Sequence, residues 1–473
     1  MKVRVQVVVE SEQGESQVVK EIAQFEREVL QPENLGLSLV EAKTLLQNVQ
    51  HTLVEQQISE YEAQHQSCRH CGKKLLRKDK PTIVYRTLFG KFRLQCHRLF
   101  HCACQEQLTR SFNPLANLLA ERTSPELIYL ECKYASLMSY GLSVKLLQEL
   151  LPIEGTINAT AIRNNLHESA QRLESELGEE NGAYIQGCPM DWEKLPRPDL
   201  PLVVGMDGGY VRSYDKKSRT AGHFEIIVGK SIKADGTSKR FGFTYCYDTK
   251  PQRRIFEVLS SQGMQMNQQV TFLSDGDEKL RELQSYLNPH AEYLLDWFHI
   301  TMRITVMNQM AQGLNKKDTE LASDVLKELE RIKWYLWHGN VFRALQVLKD
   351  VVEDLEIAIF DGNSQLESKK LLKMVQEFET YISNNGACIP NYGERWRWGE
   401  PISTSFTESV VNQVISKRMV KKQQMRWTPK GAHLLLQVRT LVLNEELRDK
   451  FQQWYSGLTL LEPQNQGIMP HAA

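Results

Sequence analysis

The sequence lacks both a long hydrophobic segment and an excess of charge of one sign. Among its 473 residues there is no run of about 18 apolar residues, the length that a helix needs to cross a membrane. The N-terminal MKVRVQVVVESEQ alternates apolar and polar residues as a strand does, without the apolar core and cleavage site of a signal peptide. The 58 basic and 58 acidic residues cancel, so the overall charge favours no class of partner. These absences predict a cytoplasmic protein of roughly two to four globular domains with no membrane partner.

Cysteine is also scarce, but five of the nine cysteines lie between residues 68 and 104. This clustering is typical of a metal site in a reducing compartment rather than of a disulfide framework. Cys68-x-x-Cys71-Gly places two thiolates on one tight turn, and Cys102-x-Cys104 follows a predicted β-hairpin that contains Leu88-Phe89-Gly90. We predict a structural zinc ribbon over residues 66–108, because four thiolates leave no open position for a catalytic water. The predicted Zn²⁺ ligands are Cys68, Cys71, Cys102 and Cys104, with Cys96, His70, His97 and His101 as alternatives for one position.

The charges that cancel overall are concentrated in a few segments. Ten Lys/Arg and one acid lie between Ser67 and Cys104, and seven Lys/Arg and no acid lie between Val411 and Thr440. Two such segments in a neutral chain favour a polyanion such as nucleic acid, although solvated surface has the same composition. Residues 171–200 reverse the balance with seven acids against three bases, and we interpret the proline-bearing residues 181–200 as a linker.

Helical patterns precede that linker. Residues 1–65 are predicted to hold the N-terminal strand and a helix over 38–64, which begins with a Ser38/Glu41 capping box. Residues 109–180 have the start signals of a helix-turn-helix module, at Ser124-Pro125, at Gly141-Leu142-Ser143, and at Asn158 or Thr160. Polar side chains early in its third helix can reach base edges in the major groove, although a plain three-helix bundle has the same pattern. These side chains are Arg163, Asn164, Asn165 and His167.

From residue 201 the pattern changes to alternating strands and helices. Strands are predicted in LVVGMD, GHFEIIVGKSIKADG and KRFGFTYCYD, followed by a helix in PQRRIFEVLSSQG and by strand–helix units in QVTFLSDGDEKLRELQSYL and AEYLLDWFHI. Three strands followed by helix, strand, helix and strand is the order of a ribonuclease H-like core. We therefore predict an α/β fold whose core begins at residues 201–300.

Asp207 and Asp275 each end an apolar strand of this predicted core. Those two strands are neighbours in the ribonuclease H-like topology, so their carboxylates are expected to lie side by side. A divalent cation relieves the repulsion between them, and two Mg²⁺ or Mn²⁺ ions about 3.5–4 Å apart assist in-line phosphoryl transfer. We expect Gly208-Gly209 to let a phosphate backbone approach this site.

A third carboxylate is expected to complete the site, and Asp277, Asp296 and Glu408 are the candidates. Glu408 lies in the first turn of a predicted helix, one turn before Asn412, although the helix dipole alone also favours a glutamate there. The basic run after it favours Glu408, because such a run suits the entry of a DNA strand. The predicted DNA-binding residues of this run are Lys417, Arg418, Lys421, Lys422 and Arg426. Trp427 either stacks on an unpaired base or belongs to the core.

Several of these segments resemble one protein family. GMDGGYVRS, FLSDGD, LLDWFH and TSFTESVVNQVISKRMVKKQQMRWTPKGAHLLLQVR resemble blocks of bacterial ISKra-type insertion-sequence transposases, which belong to the DDE group with a C/D-x2-H signature, like Mutator-like and hAT elements. CRHCG…HCAC and the helix-turn-helix also match, so the resemblance covers nearly the whole chain. It implies Asp207, Asp275 and Glu408 as the catalytic acids, and Asp296-Trp297-Phe298-His299 as the signature, in which His299 either orients the scissile phosphate or supports the strand end. It also implies an all-helical insertion at 301–400 before the last core helix and the C-terminal tail at 401–473.

The function that this resemblance implies is DNA transposition. The N-terminal modules are expected to recognise the terminal inverted repeats, and the core to hydrolyse a phosphodiester with metal-activated water before the freed 3′-OH attacks target DNA. Holding two DNA ends together favours a homodimer or higher oligomer in the bacterial nucleoid. The alternatives are a ribonuclease H-like nuclease or resolvase without strand transfer, and a domesticated, non-catalytic zinc and helix-turn-helix regulator.

Overall fold

The chain forms a mixed α/β structure of two compact units. A computed structural model describes residues 1–10, 17–104, 110–153, 155, 157–198, 201–215, 222–314, 319–360, 366–404, 409–420 and 425–460. The N-terminal unit comprises Met1–Ser169 with Glu445–Ala473, and the central unit comprises Ala170–Asn444. None of the described helices combines the length and the apolar character needed for a membrane crossing.

The N-terminal unit begins with a β-hairpin and a long helix. Strands β1 (Lys2–Glu10) and β2 (Gln17–Glu26) are antiparallel, and helix α1 (Leu39–Gln64) follows. The predicted capping box is confirmed, since the Ser38 hydroxyl accepts a hydrogen bond from the Glu41 amide while the Glu41 carboxylate accepts one from the Ser38 amide. The strand and the helix predicted for residues 1–65 are both present.

Small strands form the next part of the N-terminal unit. The strands are β3 (Arg77–Asp79), β4 (Thr82–Thr87), β5 (Gly90–Gln95), β6 (Arg98–Phe100) and β7 (Ser111–Phe112). The β4–β5 hairpin is the one predicted around Leu88-Phe89-Gly90, and the other three form a sheet in the order β3-β6-β7. The inward residues of the hairpin pack with Cys96 and with Leu115 of helix α2 (Pro114–Leu118).

Three helices follow at the positions predicted for the helix-turn-helix. They are α3 (Pro125–Leu137), α4 (Tyr140–Leu150) and α5 (Ala159–Glu176). Asn158 caps α5 as predicted, accepting from the Ala161 amide at 2.9 Å. The second start signal was wrong by one turn, because Ser139 caps α4 and Gly141-Leu142-Ser143 lie inside its first turn.

The central unit is built on a five-stranded mixed sheet. Its strands are β8 (Leu202–Arg212), β9 (His223–Ile232), β10 (Ser238–Thr244), β11 (Val270–Ser274) and β12 (Ala291–Leu295). The order is β10-β9-β8-β11-β12, with β8, β9 and β10 antiparallel and β8, β11 and β12 parallel. All five strands lie where the sequence predicts them.

Helices cover both faces of this sheet. On one face, helices α7 (Pro251–Ser261) and α8 (Glu278–Gln284) pack on Leu202, Val204 and Met206 of β8. On the other face, the π-helix Val411–Val420 packs against β8 and β9. Helix α14 (Pro429–Leu443) lies beside β10, where the Gln437 amide donates to the Gly242 carbonyl.

The predicted helical insertion follows β12 directly. It contains α9 (Trp297–Leu314), α10 (Thr319–Trp337), α11 (Val341–Phe360), α12 (Leu366–Asn385) and α13 (Tyr392–Arg397). Their apolar faces meet in one core that includes Ile304, Leu329, Leu348 and Phe378. The insertion is therefore a compact helical body joined to the end of the last strand.

Two segments differ from the expectations for a linker and a tail. Residues 181–198 include the short helix α6 (Pro189–Trp192), and Tyr184 is 1% exposed and stacks on Phe256 at 4.7 Å. This segment is therefore anchored in the core of the central unit. Near the C-terminus, helix α15 (Leu447–Trp454) belongs to the N-terminal unit, where Phe451 packs edge-on against Tyr129 of α3.

Candidate functional site

Three aspartates form a row at one edge of the sheet. The parallel register pairs Leu273 with Gly205 and Ser274 with Leu295. Continued by one or two residues, it places Asp275 between Asp207 on β8 and Asp296 after β12. Residues directly opposite in parallel strands lie on the same face, and the next apolar residues below the row, Val203, Leu273 and Leu294, do pack together. The fold therefore brings three acids that are far apart in sequence to adjacent strands.

The position of Asp207 differs from the prediction in one respect. Strand β8 does not end there, because it continues to Arg212 in antiparallel pairing with β9. What ends is the parallel pairing with β11, whose last pair is Leu273 with Gly205. Asp207 is thus two residues past the end of the parallel pairing, and its other side remains covered by β9.

The electrostatics of Asp207 reflect this half-buried position. Burial raises the pKa of Asp207 above its usual range, and the carboxylates of Asp275 and Asp296 act in the same direction. The Gly208 amide, which donates to Asp207 Oδ1 at 2.7 Å, and the His299 ring lower that pKa. Asp207 therefore lies within electrostatic range of Asp275, Asp296 and His299, although no three of these four described residues have their ligand atoms all within 4.8 Å of one another. A divalent cation between the carboxylates would relieve their repulsion.

Asp296 is the most enclosed member of the row, with no exposed surface. It accepts hydrogen bonds from the Phe298 amide at 2.8 Å and from the Thr404 hydroxyl, and the His299 Nε2 atom lies 3.6 Å from its Oδ2. The two hydrogen bonds fix the Asp296 carboxylate, and His299 in the first turn of α9 lies beside it. His299 is 21% exposed, so its ring remains accessible from outside.

Asp275 is fixed through its backbone and through the turn that follows it. The Tyr381 hydroxyl of α12 donates to the Asp275 carbonyl at 2.8 Å, and Tyr392 of α13 donates to the Leu295 carbonyl at 2.7 Å. Asp277, the alternative ligand, is the N-cap of α8 and accepts from the Lys279 amide at 3.0 Å. The insertion thus anchors the strand end that carries Asp275.

Glu408, the third predicted acid, lies outside the described residues. The described residues on both sides of it contact the site. Before it, Thr404 donates to Asp296. After it, Val411 lies 3.6 Å from the position that a Cβ of Gly209 would occupy.

The two glycines after Asp207 are explained by packing. A Cβ on Gly209 would lie 2.6 Å from Ile415 Cδ1 of the π-helix, and a Cβ on Gly208 would lie 2.9 Å from Glu225 Oε1. The expectation that both glycines admit a phosphate backbone is therefore wrong for Gly209, whose missing side chain makes room for Ile415.

The basic run that begins in the last turn of the π-helix divides between surface and interior. Lys417 and Arg426 are exposed, whereas Lys421 and Lys422 lie outside the described residues. Arg418 is completely buried, 5.2 Å from the centre of the Trp427 ring, and Trp427 is 5% exposed and donates to the Met419 carbonyl. Arg418 and Trp427 are therefore core residues in this structure rather than members of a DNA-contacting surface.

The four predicted zinc ligands meet in the N-terminal unit. The Sγ atoms of Cys68 and Cys104 are 3.6 Å apart and those of Cys71 and Cys102 are 3.4 Å apart, with all four within 4.8 Å of one another. Tetrahedral zinc with sulfurs at about 2.3 Å separates each pair by about 3.8 Å, so the cluster fits this metal. The Cys71 and His70 amides lower the pKa of the Cys68 thiol to about 6, whereas hydrogen bonds with Cys102 and Cys71 raise the pKa of the Cys104 thiol to about 12.

Of the four alternatives for one zinc position, His70 is exposed and the other three are engaged elsewhere. Cys96 is 1% exposed within the apolar core of the β4–β5 hairpin. The His97 ring pairs with Glu62 of α1, and the His101 ring packs on Phe112 at 4.6 Å. The four cysteines are thus the best-formed ligand set in this part of the chain.

Two of the side chains predicted for base contact in α5 are exposed. They are Arg163 and Asn164. Asn165 instead faces α3, where it donates to Glu131 Oε2 at 2.5 Å. Burial raises the pKa of Glu131, which is 1% exposed, to about 7.

One further cluster was missed by the sequence analysis. Glu174, Asp248 and His433 have ligand atoms within 4.8 Å of one another, but Arg254 lies among them and bonds Asp248 and Glu174 at 2.9 Å each. Burial alone raises the pKa of Glu174, but the hydrogen bond from His433 and the charge of Arg254 lower it to about 2. Because Arg254 already balances the charge, we interpret this cluster as a buried ion-pair network. Its members come from α5, from the segment before α7 and from α14, so no pattern within one segment of the sequence predicts the cluster.

Comparison with known proteins adds no further evidence. No protein-family model matches the sequence, and no match is found among curated proteins. The interpretation of the site therefore rests on the residues and geometry described above.

Proposed function

We propose that this protein is a Mg²⁺-dependent DNA transposase of the DDE type with a ribonuclease H-like core. The observation that carries the proposal is the row of Asp207, Asp275 and Asp296 at one edge of a sheet ordered β10-β9-β8-β11-β12. Asp207 and Asp275 are half-buried on neighbouring strands, and carboxylates are the ligands that Mg²⁺ prefers when phosphate and water take its other positions. The helical insertion after β12 and the four-cysteine module support a transposase over a simpler nuclease.

Each residue of the site has a role in this proposal. Asp207, Asp275 and Glu408 hold the divalent ions, which supply activation of the attacking oxygen and stabilisation of the leaving one. Asp296 orients His299 so that its ring donates a hydrogen bond to a non-bridging oxygen of the scissile phosphate. Tyr381 and Tyr392 keep the ends of β11 and β12 in register through their carbonyl contacts.

The DNA-recognition role falls to the N-terminal unit. The four-cysteine module presents basic residues around a rigid metal site, and Arg163 and Asn164 are exposed on α5. Exposed Lys417 and Arg426 of the central unit add positive charge near the π-helix. Phosphate contacts by such residues position DNA, and base contacts specify its sequence.

The substitution Asp207→Asn tests the proposed chemistry. We expect it to lower Mg²⁺-dependent cleavage at the ends of the element by at least about 1,000-fold, because several kcal/mol of metal-dependent stabilisation are lost. End binding is expected to remain, since the N-terminal unit is unchanged. The assay uses the full chain with DNA taken from the flanks of its reading frame.

The matched control is Asp324→Asn, which changes an exposed aspartate on α10 of the same unit. This variant should cleave like the wild type. Cleavage by a correctly folded Asp207→Asn protein at the wild-type rate would contradict the proposed site. Transfer of pre-cleaved ends into target DNA separates a transposase from a nuclease that only cuts.

A further inference from the structure

A polar cavity of about 610 Å³ opens beside Asp275, and none of the roles above uses it. It is lined by residues of α8, α9 and α12, together with Gly276. Tyr381 lines the cavity and also donates to the Asp275 carbonyl, so the cavity and the carboxylate row share a wall. Gly276 has a φ of +95°, and a Cβ there would lie 2.9 Å from Asn385 Oδ1, so a side chain at 276 would push into the cavity wall.

Two arginines of the cavity lining lie close to tyrosine rings, of which Tyr381 also lines the cavity and Tyr293 does not. The Arg303 guanidinium lies 4.1 Å from the centre of the Tyr381 ring, and the Arg281 guanidinium lies 5.4 Å from that of Tyr293. Arg281 Nη2 also donates to Asn385 Oδ1 at 3.1 Å. Stacking on an aromatic face holds a guanidinium in place while leaving its N–H edges free to donate.

Neither arginine is neutralised by an acid within the part of the chain that the structure describes. No carboxylate oxygen of a described residue lies within 4.0 Å of their nitrogens, and the buried Nε of Arg281 has no hydrogen-bond partner among those residues. The cavity also has two glutamates in its lining, of which Glu377 pairs with Lys373 at 3.8 Å. The donors of Arg281 and Arg303 are thus available to an anionic ligand.

Helix α9 connects this cavity to the proposed site. His299 and Arg303 are four residues apart on α9, so they lie on the same face of the helix. His299 contacts Asp296 in the carboxylate row, and Arg303 contacts Tyr381 one turn farther on. One helical turn rises about 5.4 Å, so a nucleic-acid strand that follows α9 with its scissile phosphate at His299 brings a neighbouring phosphate to Arg303.

We propose that this cavity binds a phosphodiester group of the DNA strand next to the scissile phosphate. Arg303 and Arg281 donate to its non-bridging oxygens, and the exposed carboxamide of Asn384 contacts the adjoining sugar or base. The inference rests on the proposed function, because it takes the carboxylate row as the place of cleavage. Its consequence is that the insertion positions the strand as well as supporting β11 and β12.

The test is a double-mutant cycle between Arg303 and individual DNA phosphates. Pre-cleaved end DNA carries one neutral methylphosphonate at each of the three linkages flanking the cleavage point in turn. Binding is measured by fluorescence anisotropy with full-length Asp207→Asn protein, with and without Arg303→Gln. We expect one linkage at which the neutral group weakens binding about tenfold with Arg303 present and has no effect with Arg303→Gln.

Two further variants sharpen this test. Arg303→Lys retains the charge, so it should restore most of the sensitivity to that linkage. Arg343→Gln removes an exposed arginine from α11, outside the cavity, and its effect should add to that of every methylphosphonate.

Additive effects of Arg303→Gln at every linkage would overturn the inference, whether or not the protein cleaves DNA. Coupling at one linkage without Mg²⁺-dependent cleavage by the wild-type chain would support the phosphate cavity and overturn the proposed reaction. The two proposals therefore fail by different results.

Discussion

At the residue scale, burial rather than residue type separates functional side chains from structural ones. Arg418 and Trp427 have the composition of a DNA contact, yet both are buried and stack on each other. Arg163 and Asn164 are exposed, whereas the next residue, Asn165, is partly buried and donates to Glu131. The helical period of 3.6 residues turns adjacent side chains to different environments, and the sequence does not state which face is buried.

Glu131 gives a prediction at this scale. Its pKa is about 7 in the folded protein against an ordinary value of 4.5, so the folded state binds more protons between those values. Its contribution to stability therefore falls as pH rises from about 4.5 to 7. We expect Glu131→Gln to stabilise the protein at pH 8 by up to about 3 kcal/mol and to change little at pH 4.5.

Thermal unfolding of the full chain at the two pH values measures this effect. Glu149→Gln, which changes an exposed glutamate of α4, is the matched control and should be neutral at both pH values. An equal loss of stability in Glu131→Gln at pH 4.5 and pH 8 would contradict the assigned pKa.

At the scale of elements, the structure assigns each segment a partner that composition does not reveal. The proline-bearing residues 181–198 have the composition of a linker, but Tyr184 anchors them against α7. The β4–β5 hairpin likewise lies between the two cysteine pairs in the sequence, yet the Cys68/Cys71 pair and the Cys102/Cys104 pair meet in one cluster.

The zinc ribbon gives the prediction for this scale. Purified protein should contain one Zn²⁺ per chain, and Cys71→Ser should lose it, because a three-cysteine set leaves the tetrahedral site incomplete. Cys188→Ser, which changes an exposed cysteine outside the cluster, should keep the metal. Metal content measured by atomic emission tests this, and a full complement of zinc in Cys71→Ser would rule out the assigned ligand set.

At the scale of the whole molecule, the proposed reaction requires more than one copy of the chain. Joining two DNA ends to one target needs an active site at each end, and the central unit contains one carboxylate row. We therefore expect the protein to assemble on paired end DNA into a dimer or a higher oligomer of its 54.6 kDa chain.

Light scattering with and without end DNA measures the assembly. A complex that contains at least two chains per pair of ends is the expected result. A strictly monomeric protein on paired ends would count against transposition and favour a nuclease.

The sequence by itself determined the elements of this protein, and the tertiary structure decided how their side chains are used. The strands of the central sheet, the Ser38 cap and the cysteine spacing depend on residues that are close in sequence, so local patterns were enough to predict them. The placement of Asp296 beside Asp275, the burial of Arg418 and the ion-pair network of Arg254 depend on contacts between segments far apart in the chain. Those contacts are set by sheet register and by which helix face is covered, and both arise only when the elements pack together.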